Sequence, residues 1–398
     1  MIRLVRRSCL VAVAAIVAAC GGGGGGDGGT GTLGVSLTDA PACGYDNVWI
    51  RVTKVRAHRS SNAAESASGW SEIVLDAPRD IDLLALQNGE LEDLGQTTLP
   101  AGHYTQLRLV LADDGNEVVL SDTGATVPLK TPSGQQSGLK LVHGFDIEDA
   151  TTTRLVLDFD ACRSIVKAGA SGQYLLKPVI SVIATQTGED SNVASVSGSA
   201  GQIGPVDARA DATVSLQRFD TQSGEVSVVR STSALADGGW TLSPVPVADG
   251  ARYHLVIASP GYSTVVYTDV PLQSGVPTTV PAVTLQSSTM HALNGTVTVS
   301  PMQSAAMRAL QRVVDETGEA DDVVVEIAHA NSDADSGAYE MTVPAAAARV
   351  AAYVASSPSF SDGANAGVYD VSARVEEVTK VETGVDASAA DQHVDFAF

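Results

Sequence analysis

The chain has 398 residues, of which 44% are hydrophobic and 5% are aromatic, and its formal net charge is −22. At roughly 100–200 residues per domain, this length allows two to four domains, each with a core of its own. The apolar fraction argues against a globally disordered chain. The negative charge argues against nucleic acids and anionic lipid surfaces as binding partners.

The N-terminus has the features of an export signal. Three arginines within the first seven residues precede an apolar run, residues 9–19, that is too short to span a bilayer as a helix. We therefore predict a signal peptide over residues 1–19. The run ends in Val17-Ala18-Ala19-Cys20, which resembles a bacterial lipobox, and in that class the cysteine becomes the lipidated first residue of the mature protein. The alternative is an ordinary signal peptide in which Cys20 is incidental.

Residues 20–31 are predicted to form a flexible tether. Six consecutive glycines follow Cys20, and such a tract has no side chains that pack. Gly21 stands where an aspartate favours inner-membrane retention in enterobacterial-type lipoproteins. We therefore expect an exported protein that is lipid-anchored in the outer membrane of a Gram-negative bacterium.

The remaining sequence predicts an all-β fold. Apolar residues alternate with other residues in segments 48–53, 107–111 and 155–159, a pattern typical of half-buried strands. Turn segments rich in Gly, Pro, Asp and Asn separate these runs, which favours an antiparallel β-sandwich or barrel. Residues 80–89 fit a short helical turn that ends at Gly89 as well as they fit a strand.

Five motifs occur in order in the first half of the chain. They are Leu37-Thr38-Asp39-Ala40-Pro41 and residues 99–107, 132–138, 157–160 and 176–179. Together they resemble a bacterial lipoprotein family known as domain of unknown function 4382. The resemblance implies an exported, β-rich domain without an established activity, which we place at residues 32–187.

Residues 194–287 and 291–398 form a tandem of two similar modules. Segment 196–200 parallels segment 293–297, and Gly239-Trp240 parallels Gly337-Ala338-Tyr339. The order of these elements resembles the Ig-like β-sandwich of carboxypeptidase-regulatory-like domains, more closely in residues 194–287 than in residues 291–398. A repeat of about 100 residues indicates whole domains and not a solenoid. Within residues 291–398, apolar residues at helical spacing predict a short helix inserted at residues 301–316.

Two cysteines of the exported protein are candidates for a disulfide. Cys43 and Cys162 remain after the signal peptide and the lipidated cysteine are set aside, and both lie in an oxidising compartment. We expect a structural disulfide between them, and the alternative is two unpaired thiols. No C-x-x-C spacing occurs, which argues against zinc and thioredoxin-type sites.

The predicted disulfide brings three acidic residues together. A disulfide places its two α-carbons about 5.5–6 Å apart, so Asp39 would approach Asp158 and Asp160. Three converging carboxylates are typical ligands of Ca²⁺, which is the only cofactor that the sequence suggests. In the alternative arrangement Asp39 caps its own turn and Arg163 balances Asp160.

The sequence predicts no catalytic site. The seven histidines are scattered without a metal-binding spacing, and no Gly-x-Ser-x-Gly nucleophile motif occurs. Five aromatic residues are candidates for a sugar-stacking face, although such residues on strands also fill cores. They are Trp49, Trp70, Trp240, Tyr262 and Tyr267.

Two functional hypotheses follow from the sequence. The first is a non-catalytic cell-envelope lipoprotein with a structural or adhesive role, attached to the membrane through its N-terminal lipid and binding other envelope proteins. The second is a carbohydrate-binding surface lipoprotein that binds glycans, an analogy at the level of the fold. Nucleic acid is not an expected partner of either.

Overall fold

A computed structural model describes residues 29–39, 44–132, 137–186, 192–200, 212–313 and 323–398. The predicted all-β class is confirmed, with 60% strand and 3% helix. Within this part of the chain, no helix has the length and apolarity needed to cross a bilayer. The predicted signal peptide and Cys20 lie outside the described residues, as does Cys43.

The β-rich domain predicted at residues 32–187, which we call the first module, contains fourteen strands in its described residues. They are β1 (Thr30–Asp39), β2 (Tyr45–His58), β3 (Ser71–Asp82), β4 (Glu92–Pro100), β5 (Gly102–Tyr104), β6 (Gln106–Leu111), β7 (Glu117–Leu120), β8 (Thr126–Lys130), β9 (Leu139–Leu141), β10 (Phe145–Ile147), β11 (Thr152–Phe159), β12 (Ile165–Ala168), β13 (Gln173–Leu176) and β14 (Ile180–Gln186). One short helix, α1 (Ala161–Ser164), and two 3-10 turns, Leu83–Ala85 and Gly169–Ser171, connect them.

Two main sheets enclose the core of the first module. One has the order β14-β11-β1-β4, and the other has the order β12-β13-β8-β7-β2-β6-β9 with β3 beside β2. Their inward-facing residues form one hydrophobic cluster that includes Leu37, Ile50, Leu107 and Leu157. The sheets are mixed and not purely antiparallel, because β1 lies parallel to β11 with Leu37 opposite Leu157.

Strand β6 is more deeply buried than its alternating sequence predicts. All six of its residues are buried, including Arg108 on the face that points away from the core. The guanidinium group of Arg108 lies 4.9 Å from the ring centroid of Trp70 and donates hydrogen bonds to the carbonyl oxygens of Ala63 (2.8 Å) and Ser137 (2.7 Å). Neighbouring segments therefore cover the outer face of this strand, which periodicity alone does not reveal.

Residues 80–89 combine the two predicted conformations. Asp82 ends β3 and caps the 3-10 turn Leu83–Ala85, because its carboxylate accepts a hydrogen bond from the Leu84 N–H at 3.2 Å. The segment ends at Asn88 and Gly89, which both have positive φ angles, of 59° and 85°. Left-handed backbone of this kind favours glycine and asparagine.

The second and third modules, predicted at residues 194–287 and 291–398, contain the remaining strands. Those of the second module are β15 (Val193–Ser199), β16 (Thr213–Asp220), β17 (Glu225–Ser233), β18 (Gly239–Pro246), β19 (Tyr253–Ala258), β20 (Val265–Thr268) and β21 (Pro277–Thr279). Those of the third are β22 (Met290–Thr298), β23 (Ala306–Val313), β24 (Val323–Asn331), β25 (Ala338–Pro344), β26 (Arg349–Ala352), β27 (Ser361–Asp362), β28 (Val368–Val375), β29 (Val378–Asp386), β30 (Gln392–His393) and β31 (Phe396–Ala397).

One sheet crosses the predicted boundary between the second and third modules. The second module has the sheets β18-β15-β21 and β17-β16-β19-β20-β26-β27, and the last two strands of the longer sheet come from the third module. The third module also has the sheets β24-β23-β28-β29 and β25-β22-β30, with β31 beside β22. A separate hydrophobic cluster, which includes Val256, Val266, Val325 and Val350, joins the two modules. Modules two and three therefore share both hydrogen bonds and apolar packing.

The prediction of a helix at residues 301–316 is wrong where the structure describes this segment. Residues 306–313 form strand β23, which pairs with β24 and β28. Met307, Ala309, Gln311 and Val313 are buried in alternation with exposed or half-buried residues. The period-two pattern is hidden in the sequence because Gln311 is a buried polar residue, whose side-chain amide donates to the carbonyl oxygen of Asn365 at 2.8 Å.

Candidate functional site

The three modules meet at a buried carboxylate. Glu326 lies on β24 with only 4% of its side chain exposed. Its carboxylate forms ion pairs with Arg163 of the first module and, at 2.5 Å, with Nε of Arg308 on β23. The Nδ1 atom of His329 lies 3.2 Å from the same carboxylate. One acidic side chain therefore binds two arginines that belong to different modules.

The second module binds the backbone of the same residue. The side-chain amide of Gln217 on β16 donates to the carbonyl oxygen of Glu326 at 2.8 Å and accepts from its N–H at 2.7 Å. Arg308 also donates to the carbonyl oxygen of Val226 on β17 at 2.7 Å. We call Glu326, Arg163, Arg308, His329 and Gln217 the Glu326 junction. It includes residues from all three modules.

The electrostatics of the junction favour the ionised carboxylate. Burial alone would raise the pKa of Glu326, but Arg163, His329 and Arg308 outweigh burial and hold the pKa well below its usual range. Burial likewise lowers the pKa of Arg163, whereas Glu326 and Asp160 raise it, and the net shift is upward. Loss of one partner from such a buried pair leaves an uncompensated charge and is strongly destabilising.

A second buried ion pair joins the first and second modules. Asp158 on β11 pairs with Arg230 on β17, whose side chain is only 2% exposed. Ser181 donates to Asp158 at 3.3 Å, and Arg230 donates to the carbonyl oxygen of Ser243 at 3.2 Å. Burial raises the pKa of Asp158 although Arg230 opposes this effect. The pair is the polar centre of the contact between these modules.

A cavity of about 230 Å³ lies between the two ion pairs. Its walls include Asp158, Asp160, Arg163, Arg230 and Arg308, together with other residues in segment 225–231 of β17. Each of the two aspartates pairs with one of these arginines, since Asp160 lies 3.0 Å from Nε of Arg163. Ion pairs therefore account for both aspartates, and the lining residues come from all three modules, which places this cavity at their contact.

The turn after β3 fixes the first module on the second. The N–H of Asn88 donates to Oγ1 of Thr232 at 3.0 Å, and its side-chain amide donates to the carbonyl oxygen of Ser233 at 3.1 Å. The carbonyl oxygen of the same amide accepts from the Thr241 N–H at 3.0 Å. All the hydrogen-bonding groups of this one side chain are thus directed at the second module.

The first and third modules are also joined directly. The side-chain amide of Asn331 donates to the carbonyl oxygens of Arg163 (2.9 Å) and Ile165 (3.1 Å). Asp333 accepts from the N–H of Gly169 at 2.8 Å. These bonds place the end of β24 against the segment that follows α1, next to the Glu326 junction.

The residues of the predicted disulfide and calcium site are only partly described. The structure places Asp39 opposite Phe159 in the β1–β11 pair, which is the approach that a Cys43–Cys162 bond requires. Cys43 lies outside the described residues, so the disulfide stays a prediction.

The calcium site also stays a prediction. Asp158 and Asp160 face Arg230 and Arg163, so the pairing of Asp160 with Arg163 in the alternative interpretation is observed. In the portion that the structure describes, no group of three His, Cys, Asp or Glu side chains is suited to hold a metal ion. The side chain of Asp39 lies outside that portion.

The five candidate aromatic residues do not form a common face. Trp240 and Tyr267 are core residues, with 3% and 0% exposure. The guanidinium groups of Arg56 and Arg108 lie 4.5 and 4.9 Å from the ring centroid of Trp70. The remaining two, Trp49 and Tyr262, are half-buried in different modules.

The sequence does not predict the Glu326 junction, because its residues are far apart in the chain. Arg163 and Glu326 are 163 positions apart, and Gln217 and Glu326 are 109 apart. One local signal was present, since Glu326 interrupts the apolar run Val323-Val324-Val325 and is followed by Ile327. A carboxylate inside such a strand indicates a buried charge with a partner.

Residues 30–178 match the family described as "Domain of unknown function (DUF4382)". The second and third modules lie outside this match. No curated protein matches the chain.

Three solved structures share low sequence identity with this chain. The Bacillus anthracis TIE protein is 9% identical, with 93% of this chain and 51% of that chain covered and a TM-score of 0.16. This chain therefore spans about half the length of that protein. The shaft pilin SpaA from Lactobacillus rhamnosus GG (a double mutant) is 11% identical over 52% of this chain and 96% of that chain, with a TM-score of 0.16. BcpA, the major pilin subunit of Bacillus cereus, is 9% identical over 92% of this chain and 99% of that chain, with a TM-score of 0.14.

Proposed function

We propose that this protein is a non-catalytic structural or adhesive lipoprotein of the cell envelope, anchored through Cys20 and presenting its three modules as one rigid body. The observation that supports rigidity is the Glu326 junction, where side chains of all three modules meet around one buried carboxylate. Independent domains on flexible linkers do not need such a contact, because domain interfaces are mobile by default unless they are extensive.

The anchor is the second part of the proposal. The lipobox-like end of the signal and the glycine tether support an outer-membrane lipoprotein. A pair of acyl chains holds a protein stably at a membrane, whereas a single chain is marginal. Because the net charge is −22, electrostatic attraction to anionic lipids cannot replace the lipid anchor.

The anchor is tested by substitution of Cys20 with serine. We expect the full chain to partition into the detergent phase and to sediment with outer membranes, and the Cys20→Ser variant to remain uncleaved or become soluble. Cys9→Ser is the matched control, because it removes the other cysteine of the N-terminal segment and leaves the lipobox-like residues 17–20 intact. Equal partitioning of the Cys20→Ser variant and the unmodified chain would contradict the proposed anchor.

The structural or adhesive role is tested by binding. Bacteria that carry the full chain, the Cys20→Ser variant or an empty vector are compared for adhesion to one another and to extracellular matrix proteins. The proposal predicts adhesion that requires the anchored protein. Adhesion equal to that of the empty vector, together with saturable binding on a glycan array, would instead support the carbohydrate-binding hypothesis.

A further inference from the structure

Strand β29 is an exposed edge strand. It pairs with β28 on one side and, within the described residues, has no hydrogen-bonded strand on the other. Eight of its nine residues are exposed, and these include Val378 (54%) and Val381 (49%). A long exposed edge with β-branched residues is a template for pairing with another strand.

The hairpin fixes which backbone groups of β29 point to the free edge. Val375 lies opposite Val378 across a two-residue turn, and Glu376 in this turn has a φ of 52°. The pair that closes a two-residue hairpin is hydrogen-bonded, and such pairs alternate along an antiparallel ladder. The backbone groups of Val378, Lys380 and Glu382 therefore face β28. Those of Thr379 and Val381 face outward, and a bulge interrupts the ladder after Glu382.

We propose that β29 is a homophilic interface, at which it pairs in antiparallel orientation with β29 of a second copy about a two-fold axis at Val381. In this register Val381 lies opposite itself, and Thr379 lies opposite Thr383 of the second copy. Val381 has outward backbone groups, so the two copies of this residue exchange hydrogen bonds. The four-stranded sheet β24-β23-β28-β29 becomes an eight-stranded sheet that spans both copies.

The charges of β29 select this register. Lys380 lies opposite Glu382 of the second copy, and the two-fold axis repeats this pair. Both are non-hydrogen-bonded pairs, in which side chains approach most closely. Two other registers, with the two-fold axis at Lys380 or at Glu382, also allow backbone hydrogen bonds between the copies. They place Lys380 opposite Lys380 of the second copy, or Glu382 opposite Glu382. Like charges directly opposite each other are destabilising, whereas opposite charges are stabilising.

Lys380 could instead protect the edge from pairing, which is a common role of lysine in edge strands. Its ammonium group contacts the carbonyl oxygen of Ala397 and lies 5.1 Å from the ring centroid of Phe398. An ammonium group has three N–H donors, so this contact leaves donors for Glu382. Among the described residues, Glu382 itself forms no ion pair with a cation of its own chain, which leaves its carboxylate available to a second copy.

A cysteine at the two-fold axis tests the proposal. The purified full chain with Val381→Cys is oxidised in detergent and analysed on non-reducing gels. In the proposed register the two thiols lie within the range of a disulfide, so a covalent dimer is expected. Thr379→Cys is the matched control on the same strand, because its two thiols would lie about 14 Å apart.

Charge reversal separates specific pairing from random collision. In the Val381→Cys background, Glu382→Lys places lysines opposite each other and is expected to weaken association about tenfold. The additional change Lys380→Glu restores opposite charges and is expected to restore the dimer. The proposal is overturned if Thr379→Cys cross-links as well as Val381→Cys does. It is equally overturned if Glu382→Lys leaves the dimer yield unchanged.

Discussion

Replacement of Glu326 with glutamine tests how much the Glu326 junction contributes to stability. The amide keeps the shape of the carboxylate but removes its charge, and Arg163 and Arg308 then lose the anion between them. Removal of one partner from a buried ion pair costs about 3–5 kcal/mol. Arg163 keeps Asp160 at 3.0 Å, and Arg308 keeps a backbone acceptor at 2.7 Å. We therefore expect a loss of about 3 kcal/mol, the lower end of that range.

Urea unfolding followed by tryptophan fluorescence measures this loss. Trp49 and Trp70 report on the first module and Trp240 on the second, so the signal arises outside the module that carries Glu326. The midpoint should fall by up to about 1 M urea, because the dependence of unfolding free energy on urea reaches about 3 kcal/mol/M in small proteins and grows with chain size. Glu377→Gln is the control, because the same chemical change occurs there on a side chain that is 94% exposed. Equal midpoints for Glu326→Gln and Glu377→Gln would refute the reasoning.

The loss of unfolding free energy in Glu326→Gln should depend on pH, because proton binding to Glu326 is linked to folding. The pKa of Glu326 is lowered in the folded state, so its contribution to stability is fully present above the unfolded pKa of about 4.3. The contribution is lost progressively as the pH falls below that value towards the folded pKa. The difference in unfolding free energy between the unmodified chain and Glu326→Gln should therefore be constant at neutral pH and shrink in acid. A difference that grows as the pH falls below 4 would contradict the lowered pKa.

Three further predictions concern other parts of the fold. Non-reducing peptide mapping of exported protein should recover a Cys43–Cys162 peptide, and recovery of two free thiols would contradict the disulfide. If the predicted calcium site forms, millimolar Ca²⁺ should raise the melting temperature and Asp158→Asn should abolish the rise; an unchanged melting temperature would show that Asp158 serves only its ion pair with Arg230. Tyr267→Phe should destabilise by about 1 kcal/mol in urea unfolding, because the buried hydroxyl donates to a backbone oxygen at 2.9 Å. An unchanged midpoint would show that this bond is energetically neutral.

The sequence predicts the strands whose burial alternates and fails where polar residues are buried. Val48, Ile50 and Val52 are fully buried and alternate with more exposed neighbours, as the period-two pattern predicts. In β23 the pattern includes the buried Gln311, which made a strand resemble a helix. A polar side chain is buried only with a tertiary partner, and that partner is not visible in a local window.

The five motifs and the repeat predict three modules, but they do not predict the contacts that join these modules. Three hydrophobic clusters each lie within or largely within one predicted module. The parallel pairing of Val265–Thr268 with Arg349–Ala352 joins strands from different repeats. Long-range pairing of this kind has no sequence signature in a single chain, because register depends on which faces are buried after the modules meet.

Differential scanning calorimetry of the full chain tests most directly whether the three modules form one body. If the Glu326 junction couples them, the chain should unfold in a single cooperative transition, and Glu326→Gln should broaden or divide that transition while Glu377→Gln leaves it intact. Separate transitions in the unmodified chain, unchanged by Glu326→Gln, would contradict the account.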